Sequence, residues 1–162
     1  MFSIYRRFRS WLLVSIIEYA KPFVWRFSEP LKWDIGLEAM RVYPPESFGY
    51  KIAQVLDTYN FTLIPHYESH DAKHILLDYE MTAEGEVQLQ CFMLGNGHAI
   101  FSVVFAVCLG FILMPDQWCV FYKDILRGYQ TSTNISAIDF CQLLPNDLKS
   151  VQKELLYSTQ TK

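Results

Sequence analysis

The sequence has few charged residues. Only 19% of its 162 residues are Asp, Glu, Lys or Arg, whereas 51% are apolar and 16% aromatic. A typical soluble domain has about a quarter of its residues charged. The formal net charge of -3, and the lack of a basic patch interleaved with aromatics outside the N-terminus, argue against nucleic-acid binding. The apolar excess must therefore lie in a lipid-lined cavity, on a membrane surface or against a partner.

The sequence also lacks paired cysteines and strand patterns. Its four cysteines include no C-x-x-C pair, so neither a thiolate metal site nor a disulfide framework is indicated, and a reducing cytosol is expected. No segment alternates polar and apolar residues convincingly with period two, which predicts an all-α fold. No G-x-S-x-G motif occurs, which argues against a nucleophilic serine at an elbow.

Apolar residues recur at helical spacing along most of the chain. The length fits one domain with a sizeable core. We expect a single-domain helical bundle over residues 31–157, preceded by a basic and aromatic segment, 1–30, and followed by a polar tail, 158–162. The predicted helices cover residues 33–42, 47–59, 70–81, 83–94, 99–114 and 116–129, with a closing helix after Pro145.

The N-terminal segment combines basic residues with a short apolar run. Arg6, Arg7 and Arg9 precede the apolar run 11–17, but no small-x-small cleavage site follows. The run is also too short to span a bilayer. Two interpretations remain open. The segment is either an amphipathic helix on a membrane surface, with its arginines towards the headgroups and Trp11 at the interface, or a first core helix with a solvated basic end.

Residues 87–115 contain no Asp, Glu, Lys or Arg. A helix over 99–114 would be about 24 Å long, which is short of the roughly 30 Å hydrocarbon core of a bilayer. Because this helix is apolar all round, we expect it to be a central core helix that lines an apolar groove. A membrane span is the alternative.

A histidine-rich segment suggests a metal site. His70 and His74 are four positions apart, so on a helix they share one face, which Asp71 borders. A turn at 82–85, with Thr82 as a suitable N-cap, can fold the next helix back and bring Glu86 over this face. Two imidazoles with carboxylates suit Zn, Fe(II) or Mn. A metal site between two consecutive helices is therefore predicted, although Glu86 alone could simply favour the helix dipole.

The pattern H-D-x-x-H-x11-E, filled by His70, Asp71, His74 and Glu86, resembles the metal motif of a ubiquinone-pathway family, the one named for coenzyme Q biosynthesis protein four. The resemblance covers roughly residues 43–156. The other segments similar to that family are 43–50, 82–92, 122–128, 138–140 and 144–145. The chain is short for the family, it is compressed before His70, and it has Asp78 where such sequences usually have glycine.

The resemblance implies four metal ligands, His70, Asp71, His74 and Glu86, with zinc as the metal and Fe(II) as an alternative. It also implies a polyprenylated ring precursor of ubiquinone as substrate, and oxidative removal of the ring carboxylate as the reaction. Asp71 is then a candidate ligand or acid–base residue. Lys73 is a candidate for holding the substrate's anionic group, with a solvated lysine as the alternative.

The expected location is the cytoplasmic face of the inner membrane, where the chain would be peripherally attached. A second copy of the chain or other quinone biosynthesis proteins are its expected protein partners. His66, one turn before His70, is a further but less favoured candidate ligand, since Pro65 makes it a helix-start residue.

Two other functions remain open. The first is a non-catalytic scaffold that binds a prenyl lipid and presents it to other enzymes, which the short chain and Asp78 would suit. The second is a metal-dependent hydrolase. The H-E-x-x-H pattern of metalloproteases has glutamate where this chain has Asp71, and a phosphohydrolase would need more distant ligands, for which His98 and Asp116 are the weak candidates.

Overall fold

The computed structural model describes residues 8–9, 11–12, 15–16, 33–64 and 67–157. Among these residues it contains no strand, only an isolated bridge between Ser47 and Asp147, and the all-α prediction is confirmed. Arg6, Arg7, His66 and the tail 158–162 lie outside the described residues. The α-helices whose bounds are described are α1 (Leu37–Met40), α2 (Phe48–Tyr59), α3 (Glu68–Leu77), α4 (Ala83–Gly95), α5 (Phe101–Leu113), α6 (Trp118–Gln130) and α7 (Leu148–Tyr157).

Polar side chains mark where two helices begin. The Ser47 hydroxyl accepts a hydrogen bond from the backbone N–H of Tyr50 (3.2 Å) at the start of α2. The Thr82 hydroxyl accepts one from the backbone N–H of Gly85 (3.1 Å) at the start of α4. Each hydroxyl satisfies a donor that the first helical turn leaves without a partner. The predicted N-cap Thr82 is confirmed.

Two predicted helices differ from the observed ones by four residues at one end. The helix predicted over 33–42 is only α1, because Gly36 before it is extended (φ -87°, ψ 169°). The helix predicted over 70–81 is α3, which starts at Glu68 and ends at Leu77. It ends there because Asp78 lies in the left-handed region (φ 60°, ψ 44°) and cannot continue the helix. Glycine suits such a position best, since it has no Cβ to strain the backbone.

Replacing Asp78 with glycine should therefore raise the free energy of unfolding by up to about 1 kcal/mol, because it relieves the left-handed strain. Part of this gain is offset by the greater freedom of glycine in the unfolded chain. Urea denaturation measures the change. Asp78→Ala, which keeps the Cβ, should be no more stable than the wild type. A glycine variant less stable than the alanine variant would contradict this explanation.

The chain forms two compact units, and one of them comprises Pro30–Tyr79 and Thr131–Lys162. We call it the α3 unit. In it, α2 buries Phe48, and its ring lies 6.2 Å from that of Phe140. The side-chain amide of Gln152 on α7 donates a hydrogen bond to the carbonyl of Leu76 (3.0 Å). This bond holds the C-terminal turn of α3, the helix that carries both candidate histidine ligands.

The other compact unit comprises Met1–Glu29 and Glu80–Gln130, and we call it the α4 unit. Here α4 and α6 pack backbone against backbone. A Cβ added at Gly95 would overlap the carbonyl oxygen of Ile125, and one added at Gly128 would overlap the carbonyl oxygen of Phe92. Both glycines are therefore required for the close approach of these helices. A buried cluster continues the contact through Val87, Cys91, Met114 and Phe121.

All four cysteines are free thiols, as predicted. Cys91 is fully buried on α4. Burial, and then the negative charge of Asp124, raise the pKa of the Cys91 thiol to about 12. The thiol is therefore neutral near pH 7 and unsuited to metal binding or nucleophilic attack.

Arg9 is buried in the α4 unit and does not face solvent. It is 2% exposed, and its guanidinium donates hydrogen bonds to both carboxylate oxygens of Asp116, one of them 3.0 Å long. A second carboxylate, that of Glu84, lies 3.8 Å away. Both interpretations of the N-terminal segment placed its arginines outside the protein, one towards lipid headgroups and the other in solvent. For Arg9 both are wrong, because these carboxylates compensate its charge within the protein. Trp11 is 64% exposed.

The Arg9–Asp116 pair should make stability depend on pH. Hydrogen bonding from Arg9 holds the pKa of Asp116 well below its usual range. A carboxyl group whose folded pKa is depressed stabilises the fold above its unfolded pKa of about 4, and this contribution is lost as the pH falls towards the folded pKa. We expect Asp116→Asn to have a lower free energy of unfolding than the wild type at pH 7. This gap between the two unfolding free energies should narrow below about pH 4. Urea denaturation at each pH checks this, and a constant gap would contradict it.

Helix α5 is buried on one side only. Val103, Val107 and Gly110 are buried, whereas Phe101 is 76% and Ile112 is 74% exposed. The prediction of a central core helix therefore holds only for the side that contacts α4, and the opposite side is exposed. Among the described residues, no single helix is long and apolar enough to cross a membrane. The pair Phe101–Leu113 and Pro115–Gln130, bent by 104°, meets the length and composition criteria when taken together.

Candidate metal centre

The two imidazoles meet on one face of α3. The Nε2 atoms of His70 and His74 lie 3.3 Å apart, and the ring centroids are 5.0 Å apart with an interplanar angle of 67°. His74 is 1% exposed and His70 is half-buried. The ring of Tyr67 packs at a tilt against that of His70, with 5.1 Å between centroids. The spacing of four residues thus brings the two rings together, as predicted.

The backbone after α3 orients His74. Its Nδ1 lies 3.3 Å from the carbonyl oxygen of Tyr79, and the backbone N–H of Tyr79 donates to the carbonyl of His74 (2.9 Å). Because a carbonyl oxygen can only accept, Nδ1 is the protonated nitrogen in this contact. The proton on Nδ1 leaves Nε2 with its lone pair, which is the tautomer that binds a metal.

The turn before α4 positions Glu86 at the start of that helix. A Cβ added at Gly85 would overlap the carbonyl oxygen of Glu80, so a glycine is needed where the chain turns back. One turn further along α4, the side-chain amide of Gln90 donates a hydrogen bond to Oε1 of Glu86 (2.9 Å). Gln90 thereby fixes the orientation of the carboxylate.

One ligand atom from each of His70, His74 and Glu86 lies within 4.8 Å of those of the other two. Among the described residues, these three form the one group of His, Cys, Asp or Glu side chains close enough together to hold a metal ion. Asp71 is not part of this group. Its role as a fourth ligand or acid–base residue stays a prediction.

The donor atoms fit a divalent metal. Two nitrogens bound to a tetrahedral zinc at about 2.0–2.1 Å lie roughly 3.3–3.4 Å apart, and the two Nε2 atoms lie 3.3 Å apart. The same distance also lets one ring donate a hydrogen bond to the other. Two imidazoles and one carboxylate are also the donor types that zinc and Fe(II) accept.

Lys73 flanks the histidine face. With about 100° of rotation per residue, Lys73 lies about 60° from His70 on one side of α3 and Asp71 about 100° from it on the other. Lys73 is half-buried, and burial lowers the pKa of its ammonium group. No described residue forms an ion pair with it. Its role in holding the substrate's anionic group stays a prediction, as does the alternative of a solvated lysine.

No family model and no curated protein matches the chain. Among solved structures, a proposed ubiquinone biosynthesis protein from Nostoc punctiforme is similar, with a TM-score of 0.65 and 18% sequence identity. The match covers 93% of this chain and 82% of that one. The two proteins share a fold. At this level of identity, the likeness is one of fold alone.

Proposed function

We propose that the chain acts in ubiquinone biosynthesis by binding a divalent metal at His70, His74 and Glu86 and a polyprenylated ring precursor beside it. The approach of the two Nε2 atoms to 3.3 Å, within the group that includes Glu86, is the observation that carries the proposal. The shared fold with the Nostoc protein and the resemblance of the motif to the coenzyme Q family support the substrate class.

Zinc is the first choice of metal and Fe(II) the alternative. When bound, such a metal would supply a Lewis acid that polarises a carboxylate oxygen, or, as iron, a centre for oxygen chemistry. Around it, the buried ring of His74 and the hydrogen bond from Gln90 to Glu86 keep two donors oriented. Contacts that orient metal ligands in this way raise the affinity of a site for its metal.

Lys73 and Asp71 take complementary roles in this proposal. A half-buried ammonium group that has no ion-pair partner among the described residues is stabilised by a nearby carboxylate. Lys73 would therefore hold the ring carboxylate of the substrate. Asp71, on the other side of the histidine face, would exchange a proton with the ring hydroxyl. The reaction breaks the bond between the ring and its carboxyl carbon and releases carbon dioxide. A hydroxyl group would take the place of the carboxyl group on the same ring carbon, which is a two-electron oxidation. Dioxygen, supplied from outside the protein, would accept the two electrons and be reduced to hydrogen peroxide, while water would supply the oxygen of the new hydroxyl group.

Gln90→Leu should weaken metal binding by about 10- to 100-fold, because Glu86 loses the partner that orients it. Competition with a chromophoric chelator measures the affinity. Gln54→Leu, at an exposed position of α2, is the matched control and should bind metal like the wild type. Equal affinities for all three proteins would show that Gln90 does not support the site.

The proposed activity is tested with purified, metal-loaded chain and a polyprenyl-hydroxybenzoate in air. We expect the wild type to release carbon dioxide and His74→Ala to release none. If the wild type binds the substrate but does not convert it, the scaffold alternative replaces the enzyme. If it holds a stoichiometric metal yet neither binds nor converts the substrate, the assignment to this substrate class fails.

A polyprenyl substrate resides in lipid. We therefore also propose that the chain works on the cytoplasmic face of the inner membrane as a peripheral protein. A second copy of the chain or other quinone biosynthesis proteins would receive or deliver the intermediate there. Density-gradient fractionation of cells with and without a high-salt wash tests this location. Recovery of the chain entirely in the soluble fraction at low salt would contradict it.

A further inference from the structure

The exposed side of α5 is a continuous apolar stripe. Each exposed residue is three or four positions from another one, so all of them lie within about 60° of Phe101 around the helix axis. These residues are Phe101, Val104, Phe105, Cys108 and Ile112. The rings of Phe101 and Phe105 stack with 6.0 Å between centroids. A stripe of this kind, more than one residue wide and several turns long, needs a partner on a protein in water.

The stripe continues onto α6. Trp118, Tyr122, Leu126 and Tyr129 share one side of that helix and are 39–79% exposed. At the corner between the helices, Trp118 stacks on Phe111 with 6.3 Å between centroids, and its indole N–H donates to the carbonyl of Phe111 (2.6 Å). Lys123 is exposed beside these aromatics. We call the two stripes together the α5–α6 face.

The chemistry of α5 distinguishes a membrane from a protein partner. Protein interfaces surround their apolar centre with a polar rim and average about one hydrogen bond per 100–200 Å². Helix α5 has no charged side chain, and Ser102 carries its one hydroxyl, so α5 cannot contribute such a rim. The acyl region of a bilayer requires none. Tryptophan, tyrosine and lysine, the residue types on α6, are those that favour the membrane–water interface.

We propose that the α5–α6 face docks on a lipid bilayer. The apolar stripe of α5 enters the boundary between headgroups and acyl chains, and the aromatic rings and Lys123 of α6 lie at headgroup level. This differs from the attachment through the N-terminal arginines that the sequence suggested, since Arg9 is buried in an ion pair. The proposal stands on the exposed residues of the α4 unit and does not depend on the metal centre.

Flotation of the full chain with phosphatidylcholine vesicles, with and without one quarter phosphatidylglycerol, tests the proposal. Phe101→Glu and Ile112→Glu should each lower the partition coefficient by about tenfold, because each places a carboxylate at apolar depth. Val42→Glu is the control, since Val42 is 85% exposed in the turn after α1. It should bind vesicles like the wild type, and circular dichroism should show all variants folded.

Two results would overturn the proposal. One is flotation of Phe101→Glu and Ile112→Glu equal to that of the wild type. The other is a wild type that does not float but is a dimer by light scattering, with both variants monomeric, because a second copy of the chain would then cover the face. Metal content should be the same in all these proteins, so a failure here is separable from a failure of the metal centre.

Discussion

Gly128→Ala should destabilise the chain by about 3 kcal/mol or more, at the upper end of the usual range for overpacking. The new Cβ would overlap the carbonyl oxygen of Phe92 and lie 2.9 Å from the backbone nitrogen of Asn96. These are backbone atoms of α4, so they cannot move aside as a flexible side chain would. Relief requires α6 to move away from α4, which would open the buried cluster around Phe121.

Thermal and urea unfolding of Gly128→Ala beside Gly36→Ala separates this close approach from the general effect of adding a methyl group. Nothing lies within 4 Å of a Cβ added at Gly36, and alanine there should change the stability by no more than about 0.5 kcal/mol. Gly95→Ala should behave like Gly128→Ala, since it meets the carbonyl oxygen of Ile125. Similar stability of Gly36→Ala and Gly128→Ala would mean that α4 and α6 do not pack as described.

Metal binding should stabilise the wild type against unfolding, and His74→Ala should lose this stabilisation. A ligand at 100 times its dissociation constant, bound to the folded state alone, adds about 2.7 kcal/mol. Removing the buried imidazole of His74 takes away a donor whose Nδ1 is already held by the carbonyl of Tyr79. Unfolding is measured for each protein with zinc and with a chelator. Any cavity left by the substitution affects both measurements equally.

His98→Ala is the matched control, because His98 lies outside the group of three potential ligands. It should keep the full zinc-dependent stabilisation. His70→Ala should lose it, like His74→Ala, and is less disruptive because His70 is only half-buried. If zinc raised the free energy of unfolding of the His70, His74 and His98 variants by the same amount, the metal would bind elsewhere in the chain.

Local sequence rules predicted the elements around the site. The spacing of His70 and His74 predicted that the rings meet, because helical periodicity does not depend on tertiary packing. Thr82 predicted the start of α4 for the same reason. The end of α3 at Asp78 was missed, although Asp78 stands where the resembled sequences usually have glycine, the residue that best suits a positive φ.

The features that the sequence did not predict depend on contacts between residues far apart in the chain, or on backbone atoms. Arg9 and Asp116 are 107 positions apart, so no sequence pattern shows that Arg9 is compensated inside the protein. The hydrogen bond from His74 to Tyr79 uses a carbonyl oxygen, which every residue has. The contact between Gln90 and Glu86 could have been predicted from the sequence, because Gln90 lies four positions after Glu86 on the same helix. The exposed side of α5 could not have been predicted, since the sequence of a helix that is apolar all round does not indicate which side is covered.

Elemental analysis of purified chain after zinc loading and dialysis tests the metal centre most directly. The wild type and Glu154→Gln, altered at an exposed position of α7, should each retain about one metal ion per chain. Glu86→Gln, which replaces the carboxylate by an amide of the same shape, should retain far less. A wild type without metal, or equal metal content in the wild type and Glu86→Gln, would contradict a centre built from His70, His74 and Glu86.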